Sequence, residues 1–334
     1  MILDQSVIPD MRNADVIVVG GGPAGAAAAQ RLVAAGADVM VLDKESFPRH
    51  KLCAGWITPE VVTDLQLDIS GYPHSFLTLS RLHFHLRGLH LPVPCVQHSI
   101  RRFEFDHWLL DRSGARVVQH TVKSIKRDGE HYTLDDTFRC RHLIGAGGTS
   151  CPVRRAFFEA ASPRPRALQT VTLELEFPYD WKDPDCHLWF FDKGLPGYSW
   201  YVPKAGGWLN VGVGAMSFRL KQRSETIRQH WQFLAAKLLR QFRISVPEDP
   251  SGYSYYVRGS LPSCREGDAF IAGDAAGLAT RDLCEGIGPA IRSGQRVADA
   301  IVKQTPYDLS DVTRASLGGG VMSRAIDWAF TRGR

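Results

Sequence analysis

Apolar residues along this chain fall into short unbroken runs at one end and into alternating, aromatic-rich stretches in the middle. The runs Val16 to Val19, Val39 to Leu42 and Leu143 to Ala146 predict strands, and the small-residue stretch opening near Pro23 predicts a helix between the first two. Thr78 to His85 and Leu89 to Val93 predict a hairpin around Gly88, followed by a helix over Phe103 to Asp111. Val117 to Ile125 and His131 to Leu134 predict two strands joined at Asp128 and Gly129. Leu168 to Phe177, Cys186 to Phe191, Tyr198 to Val202 and Trp208 to Val213 predict a strand-rich block. A long helix over Glu225 to Phe242 closes it, with Ile227, Trp231, Leu234, Leu238 and Phe242 on one face. Asp268 to Ile271 predicts a last short strand, followed by a helix ending near Ile301.

The first strand runs directly into Gly20, Gly22 and Gly25, the GxGxxG spacing. Gly20 permits a tight turn, Gly22 lets backbone approach a pyrophosphate, and Gly25 lets the helix pack closely on the strand. The N–H groups of that helix start, with Pro23 and Ala24, offer partial positive charge to phosphates. Asp43 ends the second strand, where it can accept from a ribose hydroxyl. The ligand this predicts is a dinucleotide.

Composition narrows the classes rather than the chemistry. With 334 residues, 44% hydrophobic and 22% charged, the chain can form a large core and is not disordered. No apolar stretch is long enough to span a bilayer, and the first fourteen residues lack the pattern of an export signal, so the expected location is cytoplasmic. The basic face of the long helix, carrying Arg223, Arg228, Lys237, Arg240 and Arg243, leaves a peripheral membrane contact open, although a helix covering a sheet is the favoured reading. A net charge of +5, dispersed along the chain, does not read as a nucleic-acid footprint. The seven cysteines have no CxxC spacing, and His83 and His85 share a strand face without a third ligand at metal-like spacing, so reduced thiols and no metal are expected.

The second chemical signal follows the strand ending at Ile271. Gly273 and Asp274 lead to Gly286, Ile287 and Gly288 at a helix start; Asp274 can accept from a polyol hydroxyl and the helix start can face an electron-rich ring edge.

Together these segments resemble the FAD-dependent oxidoreductases of the para-hydroxybenzoate hydroxylase fold. GGGPAG matches the ADP-binding turn of that fold, Arg102 with Phe105 and Asp106 matches its RxxFDxxL helix, and AFIAGDAAGLATRDLCEGIGPAI matches its ribitol-binding motif. Within the fold, FPRHKLCAGWIT and PGYSWYVPK are similar to the PR-x-K-x-CGG and YxWxFP stretches of the geranylgeranyl reductase family. The central Ala-Asp-Gly of the family reads Ala146, Gly147 and Gly148 in this chain.

The resemblance implies an α/β (α+β overall) architecture: a Rossmann-type FAD-binding domain, discontinuous over 1–60, 96–160 and 260–310, with an interleaved antiparallel-sheet substrate domain over 61–95 and 161–259 and a helical segment over 311–334. It implies that FAD is held by Gly20, Gly22, Pro23, Ala24, Gly25, Asp43, Lys44, Arg49, Cys53, Ala54, Arg102, Gly273, Asp274, Gly286, Ile287 and Gly288. It also implies that Trp56, Tyr198 and Trp200 line a substrate pocket, with Cys53, Tyr198 and solvent as proton sources.

The implied reaction is reduction of a carbon–carbon double bond in a small apolar, isoprenoid-like substrate. One dinucleotide fold is visible, so electrons are expected from a docking NAD(P)H or a reduced carrier protein. A flavin monooxygenase or halogenase of the same fold is the alternative enzyme class, and a non-catalytic flavin- or lipid-binding protein is the third reading.

Overall fold

The computed structural model describes residues 11–317 apart from 248, 261 and 262, together with 320, 324 and 326–328. The N-terminal ten residues and half of the expected 311–334 helical segment lie outside the described residues.

The chain opens as β1 (Arg12–Val19), α1 (Pro23–Ala34) and β2 (Val39–Asp43). Proline at the start of α1 costs no intrahelical bond, because the first N–H groups of a helix are unpaired in any case. Next come β3 (Trp56–Ile57), α2 (Pro59–Asp64), β4 (Phe76–Leu86), β5 (Leu89–Ile100) and α3 (Arg102–Arg112). They are followed by β6 (Arg116–Gln119), β7 (Ile125–Asp128), β8 (His131–Leu134), β9 (Phe138–Gly145) and α4 (Pro152–Phe157). The second half holds β10 (Gln169–Pro178), β11 (Cys186–Phe190), β12 (Gly197–Lys204), β13 (Trp208–Met216), α5 (Ser217–Gln222) and α6 (Ile227–Phe242). It ends with β14 (Ser251–Tyr256), β15 (Arg265–Glu266), β16 (Ala269–Ile271) and α7 (Ile287–Val302).

Two sheets organise these elements. The first runs β15-β16-β9-β1-β2-β6, with the β7–β8 hairpin attached to β9, and its pairs from β16 to β6 are parallel. Its central strands are apolar on both faces because both faces are covered, which is why their runs do not alternate. The second sheet runs β14-β10-β13-β12-β11-β4-β5-β3 and is antiparallel except between β11 and β4. The expected domain boundary between residues 95 and 96 lies inside β5, and Trp56 and Ile57 pair with that same strand.

In the second sheet, alternation divides two environments. Val171, Leu173, Leu175, Val211 and Val213 point to α6, where Trp231, Leu234 and Leu238 are buried. Full burial of a side chain such as Leu238 contributes about 1.5–3 kcal/mol. The helix starts at Ile227 rather than Glu225, because the Thr226 hydroxyl accepts from the Gln229 N–H while the Gln229 side chain accepts from the Thr226 N–H.

Other expectations need correction. The segment read as one strand over Val117 to Ile125 is two, β6 and β7, since Asp135 accepts from the N–H groups of Lys123 and Ser124 and draws the intervening backbone into a loop. The strand β14 was not foreseen, because its Ser-Gly-Tyr-Ser-Tyr-Tyr sequence lacks an apolar alternation. His83 and His85 are not an isolated pair: they stack with His90 and His187 on the sheet face away from Phe84 and Leu188.

Candidate cofactor and substrate site

A cavity of about 1200 Å³ opens between the two sheets. That exceeds the roughly 300–1,000 Å³ of pockets for a single small ligand, leaving room for a dinucleotide and a substrate together. Its walls include Gly20, Gly22, Pro23, Ala24, Asp43 and Lys44 from the β1–α1–β2 unit, and Gly273, Asp274, Gly286 and Ile287 from the other end of the chain. These distant segments touch: a Cβ placed on Gly273 would lie 3.1 Å from the Ala24 Cβ, and one on Gly294 of α7 would lie 2.1 Å from the Ala24 carbonyl oxygen.

The glycines of the first turn differ in what they permit. Gly20 has φ +111°, and a Cβ there would strike the Ala146 carbonyl at 2.4 Å. Gly25 does not line the cavity; its absent Cβ would sit 1.9 Å from the Gly20 oxygen, so its place is filled by close helix–strand packing. At Gly22 the nearest atom is the mobile end of Arg49, 3.4 Å away, so this is a cradle open to the cavity. That open backbone at a helix start, flanked by Lys44, Arg49, Lys51 and Arg102, fits the pyrophosphate of FAD.

Asp43 is buried, its two oxygens accepting from the Gly21 N–H at 2.7 Å and the Glu45 N–H at 2.9 Å. A carboxylate has further lone pairs, so one more hydroxyl can be received. Asp274 accepts from the Tyr253 hydroxyl at 3.3 Å and borders the cavity. The α7 start is more occupied than expected: the Glu285 carboxylate accepts from the Gly288 N–H at 2.7 Å, and Gly288 is not among the cavity-lining residues. Burial pushes the Glu285 carboxyl up to about 7, against the N–H groups that favour its charge.

Arg102 lines the cavity, but its charge is also internally paired. Nε and Nη2 donate to Asp106 Oδ1 and Oδ2 at 2.6 and 2.7 Å, and Arg49 adds a contact to Oδ2 at 3.3 Å. Burial works against the guanidinium charge, yet Asp106 outweighs it and holds Arg102 above its ordinary value.

Cys53 and Ala54 lie in the loop before β3, on the wall between the glycine turns and the second sheet. The Gly55 N–H donates to Cys53 Sγ at 3.3 Å. Asn210 Nδ2 donates to the Cys53 carbonyl at 3.3 Å while its Oδ1 accepts from Trp200 Nε1 at 2.7 Å, tying the loop to the sheet. Trp56 donates to Gln97 at 2.7 Å. Tyr198 and Trp200 project to the cavity with ring centroids 5.8 Å apart. The Tyr198 hydroxyl donates to the Leu283 carbonyl, and burial raises it well above its usual value, which makes it a poor acid.

Glu174 is not among the site residues expected from the sequence, which gives Lys51, with Arg49, only as a cation for the phosphate of a substrate or nicotinamide donor or as a solvated charge. Lys51 stacks over Tyr253 and is lowered to about 8, first by burial and then by Arg102. Glu174 is 2% exposed, faces the cavity, and is pushed up to about 8 by burial against the attraction of Lys51 and Lys204. The usable sequence signal is the polar set Thr170, Thr172, Glu174 and Glu176 alternating with Val171, Leu173, Leu175 and Phe177.

Comparison with known proteins agrees with this geometry. Residues 15–92 match the FAD dependent oxidoreductase family. The chain is 28% identical to menaquinone reductase of Mycolicibacterium smegmatis, covering 89% of this chain and 78% of that protein. It is 27% identical to digeranylgeranylglycerophospholipid reductase 3 of Methanosphaera stadtmanae, covering 89% and 80%. Among solved structures, a geranylgeranyl bacteriochlorophyll reductase-like protein from Thermoplasma acidophilum has TM-score 0.76 at 19% identity, covering 88% of this chain and 79% of that one. The flavin-dependent brominase Bmp2 has TM-score 0.67 at 17% identity over 95% of this chain and 82% of its own. By fold and sequence, the chain is similar to FAD-dependent oxidoreductases and, among them, to geranylgeranyl reductase-like proteins.

Proposed function

We propose that this protein reduces a carbon–carbon double bond of an apolar, isoprenoid-like molecule. The observation that carries the reading is one cavity with two unlike walls: a glycine-lined wall with basic residues, and a wall that presents Trp56, Tyr198 and Trp200. The relatives named as reductases of menaquinone and of a digeranylgeranyl lipid support an isoprenoid-bearing substrate.

FAD, when bound, supplies the two-electron redox chemistry that no side chain provides. In this reading Gly20, Gly22, Pro23 and Ala24 receive its pyrophosphate, and Asp43 and Asp274 accept from its hydroxyls. The chain's own residues do the rest. Cys53, Ala54 and the Gly286–Ile287 start border the isoalloxazine end. Tyr198 and Trp200 exclude water and orient the substrate, the bond from Trp200 to Asn210 fixing the indole. Electrons come from NAD(P)H or from a reduced carrier protein. Arg228 and Arg240 of α6, exposed together with Phe233 and Leu239, would suit a transient contact with a lipid surface.

The test is anaerobic. Protein loaded with FAD and reduced by dithionite is mixed with a geranylgeranyl lipid that carries no quinone. Reoxidation without oxygen, with a product two hydrogens heavier, is the expected result. Dependence on oxygen with a hydroxylated or halogenated product would favour the monooxygenase reading that the brominase fold keeps open. Binding of FAD and lipid with no turnover under either condition would favour the non-catalytic one.

A further inference from the structure

Among the acids along β10, Glu174 has an unusual position. Its neighbour on the same face, Glu176, accepts from Arg101 Nε at 2.9 Å and lies 3.7 Å from Lys204 Nζ. Glu174 Oε1 has no hydrogen-bond partner among the described residues although the residue is 2% exposed. Leaving a buried polar group unmade costs about 1–3 kcal/mol, more if it is charged. No local packing need explains such an acid, because its strand neighbours Thr170 and Thr172 are compact polar residues on the same wall.

Its surroundings are those of the expected reaction end of the cavity. A Cβ built on Gly212 of β13 would fall 2.1 Å from the Trp200 ring and 2.8 Å from the Glu174 Cβ, so Gly212 is the gap through which the indole and the acid approach each other. Trp200 is joined through Asn210 to the Cys53 carbonyl. The charged groups acting on Glu174 are Lys51 from the Cys53 loop, Lys204 from β12, Glu176 from its own strand and Arg102 from α3. Lys204 is committed elsewhere, donating to the carbonyls of Ala54 and Ile100 at 2.7 and 2.6 Å.

Resting on the reductase reading above, we propose that Glu174 is the acid that hands the second proton to the substrate double bond. In that step one carbon receives a hydride, with its two electrons, from FAD previously reduced by an external two-electron donor. The Glu174 O–H breaks as a C–H forms at the other carbon. FAD is left oxidised, and Glu174 is left as a carboxylate near the Lys51 ammonium until solvent reprotonates it. Three of the other groups on the wall are less suited: Tyr198 donates to a carbonyl, Glu285 is committed to the Gly288 N–H, and burial raises the Cys284 thiol to about 12.

The experiment uses the FAD-loaded protein and its Glu174→Gln variant. Infrared difference spectra should contain a neutral-carboxyl band that titrates near pH 8 in wild type and is missing in the variant. The variant should keep FAD affinity within about twofold. Anaerobic reoxidation of the dithionite-reduced protein by a geranylgeranyl lipid that carries no quinone should slow by about 10²-fold or more, as loss of a general acid does. The fall of the wild-type rate above pH 8 should disappear in Glu174→Gln, and Glu174→Asp, an acid one methylene shorter, should recover part of both.

A Glu174→Gln rate within threefold of wild type, with the same pH profile, overturns the assignment, and so does the absence of the band. If wild type itself is not reoxidised by the geranylgeranyl lipid, the reductase reading has failed, and the assignment of Glu174 as proton donor falls with it. An intact infrared band would then mark Glu174 only as a neutral buried acid.

Discussion

Asp106 and Glu174 are both carboxyls with almost no exposed surface, 0% and 2%, yet one is surrounded by cations and the other is left half unmatched. Asp106 receives both arms of Arg102 and a contact from Arg49, so every buried charge in that cluster is answered. Glu174 faces the cavity with one oxygen bare and is neutral more of the time because burial outweighs its attraction to Lys51 and Lys204. The first arrangement fixes where Arg102 sits; the second keeps an acid available. Buried charges that are fully paired tell where the scaffold is rigid, and those that are not tell where chemistry is to be sought.

Breaking the matched side should have the largest effect. Asp106→Ala leaves Arg102 buried without its partner and should lower unfolding stability by about 3–5 kcal/mol, measured by urea titration. A loss under about 1 kcal/mol would mean that Arg49 and water take over, and the contrast between the two sites would be lost.

The unmatched side should respond to pH instead. The folded carboxyl of Glu174 titrates at about 8, above its unfolded value, so its contribution to stability is fully present below the unfolded value and is lost as pH rises toward 8. In FAD-stripped protein this adds a slope of at most about 1.4 kcal/mol per pH unit in that window. Thermal unfolding of Glu174→Gln between pH 5 and pH 8 should lack the slope. Lys51, lowered to about 8, acts with the opposite sign and only above that pH, where the folded state holds fewer protons than the unfolded chain. Lys51→Met should therefore leave the lower window unchanged, and a Lys51→Met effect below pH 7 would show that the two groups titrate together.

A smaller effect is expected on the opposite face of the second sheet, among stacked His83, His85, His90 and His187. His85 is lowered to about 4 by burial and then by its imidazole neighbours, chiefly His187. Its stability contribution is present above the unfolded value and is lost as pH falls toward 4, so His85→Gln should unfold less readily than wild type in that acid range. Equal acid sensitivity of the two proteins, read by thermal unfolding, would remove this group from the account.

The two sides of the cavity were unequally legible in the sequence, for a physical reason. The glycine turn, Asp43 and Asp274 are local signals: a strand, a turn and a helix start within a few residues specify backbone geometry, and backbone geometry defines that wall. Glu174, Asn210 and Lys204 become neighbours of the Cys53 loop only through the pairing of β10, β13 and β12, which no short motif encodes. The same limit explains the loop of residues 120–124, which depends on the distant Asp135.

The contrast has meaning only if the glycine-lined wall receives FAD. The most direct measurement is a titration of the purified, FAD-stripped protein with FAD, followed by visible absorbance and repeated with Gly22→Ala. A Cβ at Gly22 meets only the end of Arg49 at 3.4 Å, so that variant should fold with an unchanged melting temperature. The account predicts saturable binding of one FAD per chain and an affinity about tenfold or more weaker in Gly22→Ala. A protein that stays colourless, or binds FAD equally well with and without that methyl group, would contradict it.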